Sequence, residues 1–394
     1  VTADPVDGGQ GPKHAAEVHL DAVTNELVEL SHRIHAHPEL AFEEEKAAAW
    51  CAEMLEAAGL AVERGICDLP TAFSASAGSG PLTVAICAEY DALPGIGHAC
   101  GHNVIAATAV GAGIALAPLA DDLGITVRVL GTPAEEGGGG KILMMERGAF
   151  DGVHAAMMVH PSPLEQERMN CLAVEHLGLV YTGKEAHASA FPELGVNAAD
   201  ALTVAQVAIG LLRQHATTGD QVHGIVTHGG EAPNIVPART TAEYYARART
   251  LGRLDEWKPR VHRCFEAGAV ATGCTLEIEP RGPAYSEMRP DETMVRAYRA
   301  NAEAIGRTFP EVPWSGGSTD MANVSLRFPT IHPMLGLDSL PAVNHQPEFT
   351  AACVTPTADR AVRDGALAMA WTAVDLATAL GERERLLALA QPAG

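Results

Sequence analysis

Leu82-Thr83-Val84-Ala85-Ile86-Cys87-Ala88-Glu89-Tyr90-Asp91-Ala92-Leu93-Pro94-Gly95-Ile96-Gly97-His98-Ala99-Cys100-Gly101-His102-Asn103 decides the fold. It opens as a short apolar run behind a Gly-Ser-Gly-Pro turn, which reads as a buried strand. It closes on acidic, thiol and imidazole side chains. A small-residue helix over 104–116 follows and stops before Pro118. A buried strand feeding a helix in this way is the repeating unit of a parallel sheet covered by helices.

The pattern recurs on the C-terminal side. An apolar run over 125–130 closes at Gly131 and leads to Thr132-Pro133-Ala134-Glu135-Glu136 and the glycines 137–140. Another, over 153–159, closes at His160-Pro161. In open α/β sheets the ligand crevice lies beyond the carboxyl ends of the strands. Three successive strand ends therefore deliver Cys100, His102, Glu135, Glu136 and His160 to one place. These are the donor types of a zinc or manganese hydrolase site.

Each piece also has a plainer reading. A loop histidine is ordinarily just a polar side chain, and His154, His176, His215, His223 and His262 are read that way. A lone Cys100 would be a small buried hydrophobe. Cys-Gly-His differs, because glycine lets the backbone turn so that both neighbours face one point. Glu135 and Glu136 suit a solvated helix start, where carboxylates complement the dipole. They equally suit a division of work in which one binds a metal and the other stays free as a general base. The glycines followed by Lys141 invite a phosphate-loop reading, which fails because Ile142 stands where Ser or Thr is needed. A Gly-x-Ser-x-Gly elbow and a dinucleotide Gly-x-Gly-x-x-Gly after a strand are both absent.

The rest of the chain gives the organisation. Residues 1–13 read as a mobile tail. One helical face carries Val18, Val23, Leu27, Leu30 and Ile34, and a second helix spans 44–58. From 172 the style changes: strands over 172–183, 224–228 and 240–248 mix with helices over 198–215 and 254–272, as in a two-layer α+β unit. The chain ends in a helix or helix pair over 357–389. The fold class is α/β: a mostly parallel-sheet core domain over 14–171 plus 284–394, interrupted by an α+β domain over 172–283.

With 394 residues the chain accommodates two or three domains of about 150 residues. Hydrophobic residues make up 47% and charged residues 19%, which excludes a disordered chain. No run approaches the ~20 apolar residues of a membrane span. The start lacks a secretory pattern, so a cytoplasmic location and reduced thiols for the eight cysteines are expected. A net charge of −22 argues against nucleic acid or anionic membrane as a partner.

The long stretch from Glu89 to Asn103, together with Pro133-Ala134-Glu135-Glu136-Gly137-Gly138, resembles peptidase family M20. Asn103, where Asp is commoner, points to the branch that includes p-aminobenzoyl-glutamate hydrolase and β-alanyl-lysine dipeptidase. The resemblance implies two divalent metal ions, zinc or manganese, on Cys100, His102, Glu136, His160 and His345. On spacing alone His345 is one loop histidine among many; it belongs to Asn344-His345-Gln346-Pro347-Glu348-Phe349, which matches the family's C-terminal ligand motif. Glu135 matches the general base, and Asp91 the aspartate that orients a metal ligand. Glu89 stands where other branches place a metal histidine, which leaves its role open.

In the family the insert is a lid that also dimerises. Gly183-Lys184-Glu185-Ala186-His187 resembles its signature, which implies a homodimer in which His187 reaches the partner's site and steadies the oxyanion. Asn234 matches a substrate-contact asparagine. Ser318 and Thr319, in Gly316-Gly317-Ser318-Thr319-Asp320, match a loop lining the pocket. Arg247 suits a substrate carboxylate, since a guanidinium fork fits one, and Arg249 is an alternative. The implied activity is metal-dependent hydrolysis of the amide bond of small N-acyl amino acids or dipeptides. A hydrolase of an ester or cyclic amide, and a non-catalytic binding protein on the same fold, are the alternatives.

Overall fold

The computed structural model describes residues 11–311 and 316–389. Its strands, in chain order, are β1 (Ala61–Arg64), β2 (Phe73–Ala77), β3 (Leu82–Ala88), β4 (Ile125–Gly131), β5 (Ala155–Met157), β6 (His160–Ser162), β7 (Ala173–Thr182), β8 (Gln221–His228), β9 (Arg239–Ala248), β10 (Thr275–Pro280), β11 (Thr330–Ile331) and β12 (Met334–Gly336). The central sheet runs β1-β2-β4-β3-β5-β11. Strands β4, β3, β5 and β11 are mutually parallel, and β2 and β1 continue the sheet antiparallel. The fold is mixed α/β with a mostly parallel central sheet and an additional antiparallel sheet.

Every residue of β3 is buried because both sheet faces are covered. Side chains alternate along a strand. Leu82, Val84, Ile86 and Ala88 enter the large core with the C-terminal helix Pro356–Thr378. Ala85 and Cys87 enter a second cluster with Ile142, Met144 and Phe150. The helix His102–Leu116 is buried along its whole length. Its small residues allow that: a Cβ on Gly113 would sit 2.4 Å from Val129 of β4. Together with the turn to Leu123 this stretch is long and apolar enough to cross a membrane, contrary to expectation. Its apolarity comes from burial, since 83% of the most apolar window lies inside the fold.

The second sheet has the order β10-β7-β9-β8 and is wholly antiparallel. The helices Ala198–Leu212 and Leu251–Thr272 pack on one face, around Tyr181, Tyr244, Trp257 and Phe265. Tyr244 faces these helices, so Tyr245 and Arg247 face the other way.

Several expectations are corrected. The single helix carrying Val18 to Ile34 is two, Pro12–Asp21 and Thr24–His35. Val23 leaves helical geometry between them, and Val18 is exposed. The supposed tail over 1–13 lies mostly outside the described residues. Pro12, however, opens a helix, and Lys13 binds Asn301 (2.7 Å) and Asp375 (2.8 Å). The strand expected over 153–159 is only β5. The chain then shifts, and His160 begins β6, which pairs with β12 in a separate two-stranded sheet. All eight cysteines are free, and all but Cys67 are buried.

Candidate metal centre

The chemistry collects at the carboxyl ends of β3 and β4. Gly101 takes φ +76° ahead of the helix His102–Leu116, and a Cβ there would meet Pro161 at 2.9 Å. The turn demands glycine, and it sends Cys100 and His102 towards one point. His102 Nδ1 lies 3.0 Å from Asp91 Oδ1, while Asp91 Oδ2 accepts the Glu136 backbone N–H at 2.9 Å. Asp91 thus ties the first strand end to the second. His160 Nδ1 donates to the Pro161 carbonyl at 2.7 Å. Carboxylates and carbonyls only accept, so both imidazoles carry a proton on Nδ1, which leaves Nε2 as the atom available to a metal ion.

Three donor sets result: Cys100, His102 and His160; Cys100, Glu136 and His345; and Glu89, His102 and Glu135. Within each, the donor atoms lie within 4.8 Å of one another; Cys100 belongs to the first two and His102 to the first and third. His345 Nε2 is 3.0 Å from Cys100 Sγ and 3.8 Å from Glu136 Oε2. His102 Nε2 and Glu136 Oε1 are buried with no hydrogen-bond partner among the described residues. Orphaned donor atoms of N, O and S type are what a thiophilic divalent cation would satisfy. The residues present fit such an ion.

Glu135 is buried, 3.9 Å from His102 Nε2. Burial, then the carboxylates of Glu89 and Glu136, pushes its pKa well above the ordinary range, as suits a proton acceptor. Burial opposes charge on His102, but Asp91, Glu89 and Glu136 outweigh it and raise its pKa. Burial and Glu136 push the Cys100 thiol up. A bound cation inverts this logic by stabilising thiolate. Glu89 is held at one oxygen in a fully buried ion triad, while its Oε2 has no hydrogen-bond partner among the described residues and lies 3.6 Å from His102 Nε2. Lys141 Nζ reaches Glu89 Oε1 at 2.5 Å and Asp320 Oδ1 at 2.7 Å, and Lys141 N donates to Asp320 Oδ2 at 2.8 Å. The lysine behind the four glycines is thus an internal counter-ion. Asn103 points away from the site, donating to Ser31 Oγ and the Cys353 carbonyl.

A cavity of about 570 Å³ opens above these groups. It is lined by Cys100, Glu135, Glu136, His160 and His345 together with Tyr245, Arg247, Ser318 and Thr319. Residues 85–363 match the model for peptidase family M20/M25/M40. The chain belongs to this family. It is 39% identical to the Xaa-Arg dipeptidase of Mus musculus, covering 92% of this chain and 88% of that one. It is 33% identical to a p-aminobenzoyl-glutamate hydrolase chain of Escherichia coli (strain K12), covering 71% of this chain and 62% of that one. Among solved structures it resembles the Bacillus subtilis YXEP protein, a dinuclear metal binding peptidase from the M20 family. That match has a TM-score of 0.62 at 22% identity and covers 89% of this chain and 98% of that one.

In this M20 chain the remaining expected residues separate. Arg247 Nη1 donates to Ser318 Oγ at 2.6 Å, and Thr319 is buried beside it. Arg249 is exposed and turned to the Thr218 carbonyl, so Arg247 is the arginine in the cavity. His187 and Asn234 do not join the cavity. They are exposed and adjacent, with Ala188 N donating to the Asn234 carbonyl at 3.0 Å. His176 and His223, read from sequence as ordinary polar side chains, do line it.

The sequence reading also missed Tyr285 and Glu44. Tyr285 donates to the Glu135 carbonyl at 2.6 Å and accepts from Gly139 N. By sequence Glu44 is only the start of a helix. It is fully buried and accepts from Ala134 N and Thr71 Oγ1, both at 2.9 Å. It thereby holds Ala134, at φ +58°, immediately before Glu135. Burial, then Asp91, pushes its pKa from 4.5 to about 7. Between those values the folded chain retains a proton that the unfolded chain has lost. Stability contributed by this group therefore falls as pH rises through that window. Urea unfolding of the metal-free chain at successive pH values should show a shallower fall for Glu44→Gln. An unchanged pH dependence would remove Glu44 as its source.

Proposed function

We propose that this M20 chain hydrolyses the amide bond of small N-acyl amino acids or dipeptides, with two divalent ions, zinc or manganese, and Glu135 as the general base. The observation that carries this is the convergence of the two donor sets that share Cys100 beside Glu135, a carboxylate that belongs to neither of those two, in a cavity that also holds Arg247. Cys100, His102 and His160 would hold one ion and Cys100, Glu136 and His345 the other. Bound there, such ions supply Lewis acidity, which lowers the pKa of water and polarises a carbonyl. Glu135 takes the proton of the attacking water and returns it to the leaving amine. Asp91 keeps His102 in the tautomer with Nε2 free. Arg247 takes the substrate carboxylate and fixes which amide faces Glu135. The names of the two relatives, a dipeptidase and an aminobenzoyl-glutamate hydrolase, support this substrate class.

We assign His187 and Asn234 to the site of a second copy. Their exposure outside their own cavity supports this, as do exposed Phe191, Leu194, Ile225 and Val226 nearby in sequence on the same unit. Strand β8 is also a sheet edge, open to pairing. His187 would there donate to the developing oxyanion. The residues 172–283 then act as lid and dimerisation unit on the core.

The test is amine release from β-alanyl-L-lysine, p-aminobenzoyl-L-glutamate, N-acetyl-L-amino acids and dipeptides ending in arginine. Metal-stripped protein is expected to be inactive and zinc or manganese to restore cleavage. Cleavage that survives complete stripping would overturn the metal assignment. Silence across the panel with metal bound would overturn the substrate class.

A further inference from the structure

The cavity face of the antiparallel sheet carries one continuous row. In the register, His176 of β7 and His223 of β8 both stand opposite Tyr245 of β9. The His176 ring stacks on Tyr245 at 4.1 Å, and the His223 ring lies 5.6 Å from it. Arg247 is two residues further along β9 and so shares this face. Its guanidinium lies 5.6 Å from the Tyr245 ring.

Two contacts clamp that guanidinium. Nη1 donates to Ser318 Oγ at 2.6 Å, and Ser318 Oγ in turn donates to the Leu172 carbonyl at 2.6 Å. Nε donates to His223 Nε2 at 3.2 Å. Arginine has only donors, so His223 must accept at Nε2, carry its proton on Nδ1 and stay neutral. Burial and Arg247 both lower its pKa, in keeping with that state. The remaining N–H donors of Arg247 are left for the cavity.

We infer that His223 is a positioning residue for carboxylate recognition: its Nε2 acceptor and Ser318 Oγ hold Arg247 in the one orientation that presents its free N–H donors to the substrate's α-carboxylate. The inference rests on the reading of Arg247 as the carboxylate's partner. A free arginine side chain has many rotamers, and fixing it before binding removes that entropic cost from substrate association. The clamp spans three segments: β8, β9 and the 316–319 loop. The orientation is therefore set by the fold.

The experiment uses the best-cleaved member of the panel above and the same compound as its α-carboxamide. Wild type is expected to favour the free acid through KM. His223→Leu removes the acceptor and is expected to raise KM for the acid about tenfold, the worth of one hydrogen bond to a charged group, with kcat unchanged. The amide's KM should not move. His223→Gln, whose side-chain oxygen can accept, should recover most of the loss. A general disturbance of the fold would instead lower kcat and affect both compounds alike; that pattern would overturn the inference. So would an unchanged KM in His223→Leu when Arg247→Leu abolishes the preference for the acid. If Arg247→Leu itself leaves that preference intact, the reading of Arg247 fails, and the inference with it.

Discussion

Glu135→Gln is expected to lose turnover by about 10²–10⁴-fold while retaining its metal, because general acid–base catalysis contributes that much. Glu135 belongs to neither of the donor sets that meet at Cys100, although it shares His102 with the first through the set it forms with Glu89. It sits 3.9 Å from His102 Nε2, one of the atoms that would hold an ion. Its backbone is fixed on two sides, by Tyr285 at its own carbonyl and by Glu44 at Ala134 N. Glutamine keeps the shape and removes the base. Metal content by mass spectrometry should match wild type, and kcat should carry the loss. Turnover within tenfold of wild type would show that another group takes the proton. The same variant tests the second-copy assignment of His187. Mixing Glu135→Gln with His187→Ala protomers should regenerate activity that neither has alone, because some hybrid sites pair an intact Glu135 with an intact His187. No recovery on mixing, with hybrids demonstrably formed, would place His187 outside the reaction.

Lys141→Met is expected to destabilise the chain by about 3–5 kcal/mol, the cost of removing one partner from a buried ion pair. Lys141, Glu89 and Asp320 are all fully buried. Without the ammonium, Glu89 and Asp320 face each other in a region that already holds Asp91, Glu135 and Glu136. Burial already raises the Asp320 pKa to about 6, with Lys141 pulling against it. A neutral triad built by Lys141→Met, Glu89→Gln and Asp320→Asn together should recover most of the lost stability, since no charge is then left unpaired. Urea unfolding of the metal-free proteins measures both. A single variant within 1 kcal/mol of wild type, or a triple variant no more stable than the single, would show that the triad does not carry this charge balance.

Glu89 shows what was legible in the chain and what was not. Its place after a buried strand was legible, because a short apolar run behind a Gly-Ser-Gly-Pro turn reads as a strand covered on both faces. Its partner was not, because Lys141 is 52 residues away and its pairing depends on the turn through four glycines. The phosphate-loop pattern fails on Ile142, but the lysine's actual use required Asp320, 179 residues further along the chain. Asn103 was readable as a branch marker and unreadable as a helix-packing donor to Ser31 and Cys353.

Local patterns are carried by neighbours along the chain, and these the sequence determined by itself. They include the strand–helix units, the Cys-Gly-His turn forced by a positive-φ glycine, the paired glutamates at a strand end, and through them the family. Tertiary structure alone decided what depends on approach between distant segments. It made Cys100 common to two donor sets, brought His345 across from a distant loop to meet it, and selected Arg247 over Arg249. It also turned His176 and His223 from ordinary polar side chains into a cavity wall, because strand register, which no single strand encodes, set them in one row with Tyr245. Periodicity tells which face a side chain takes. Only the packed sheet tells what that face looks at.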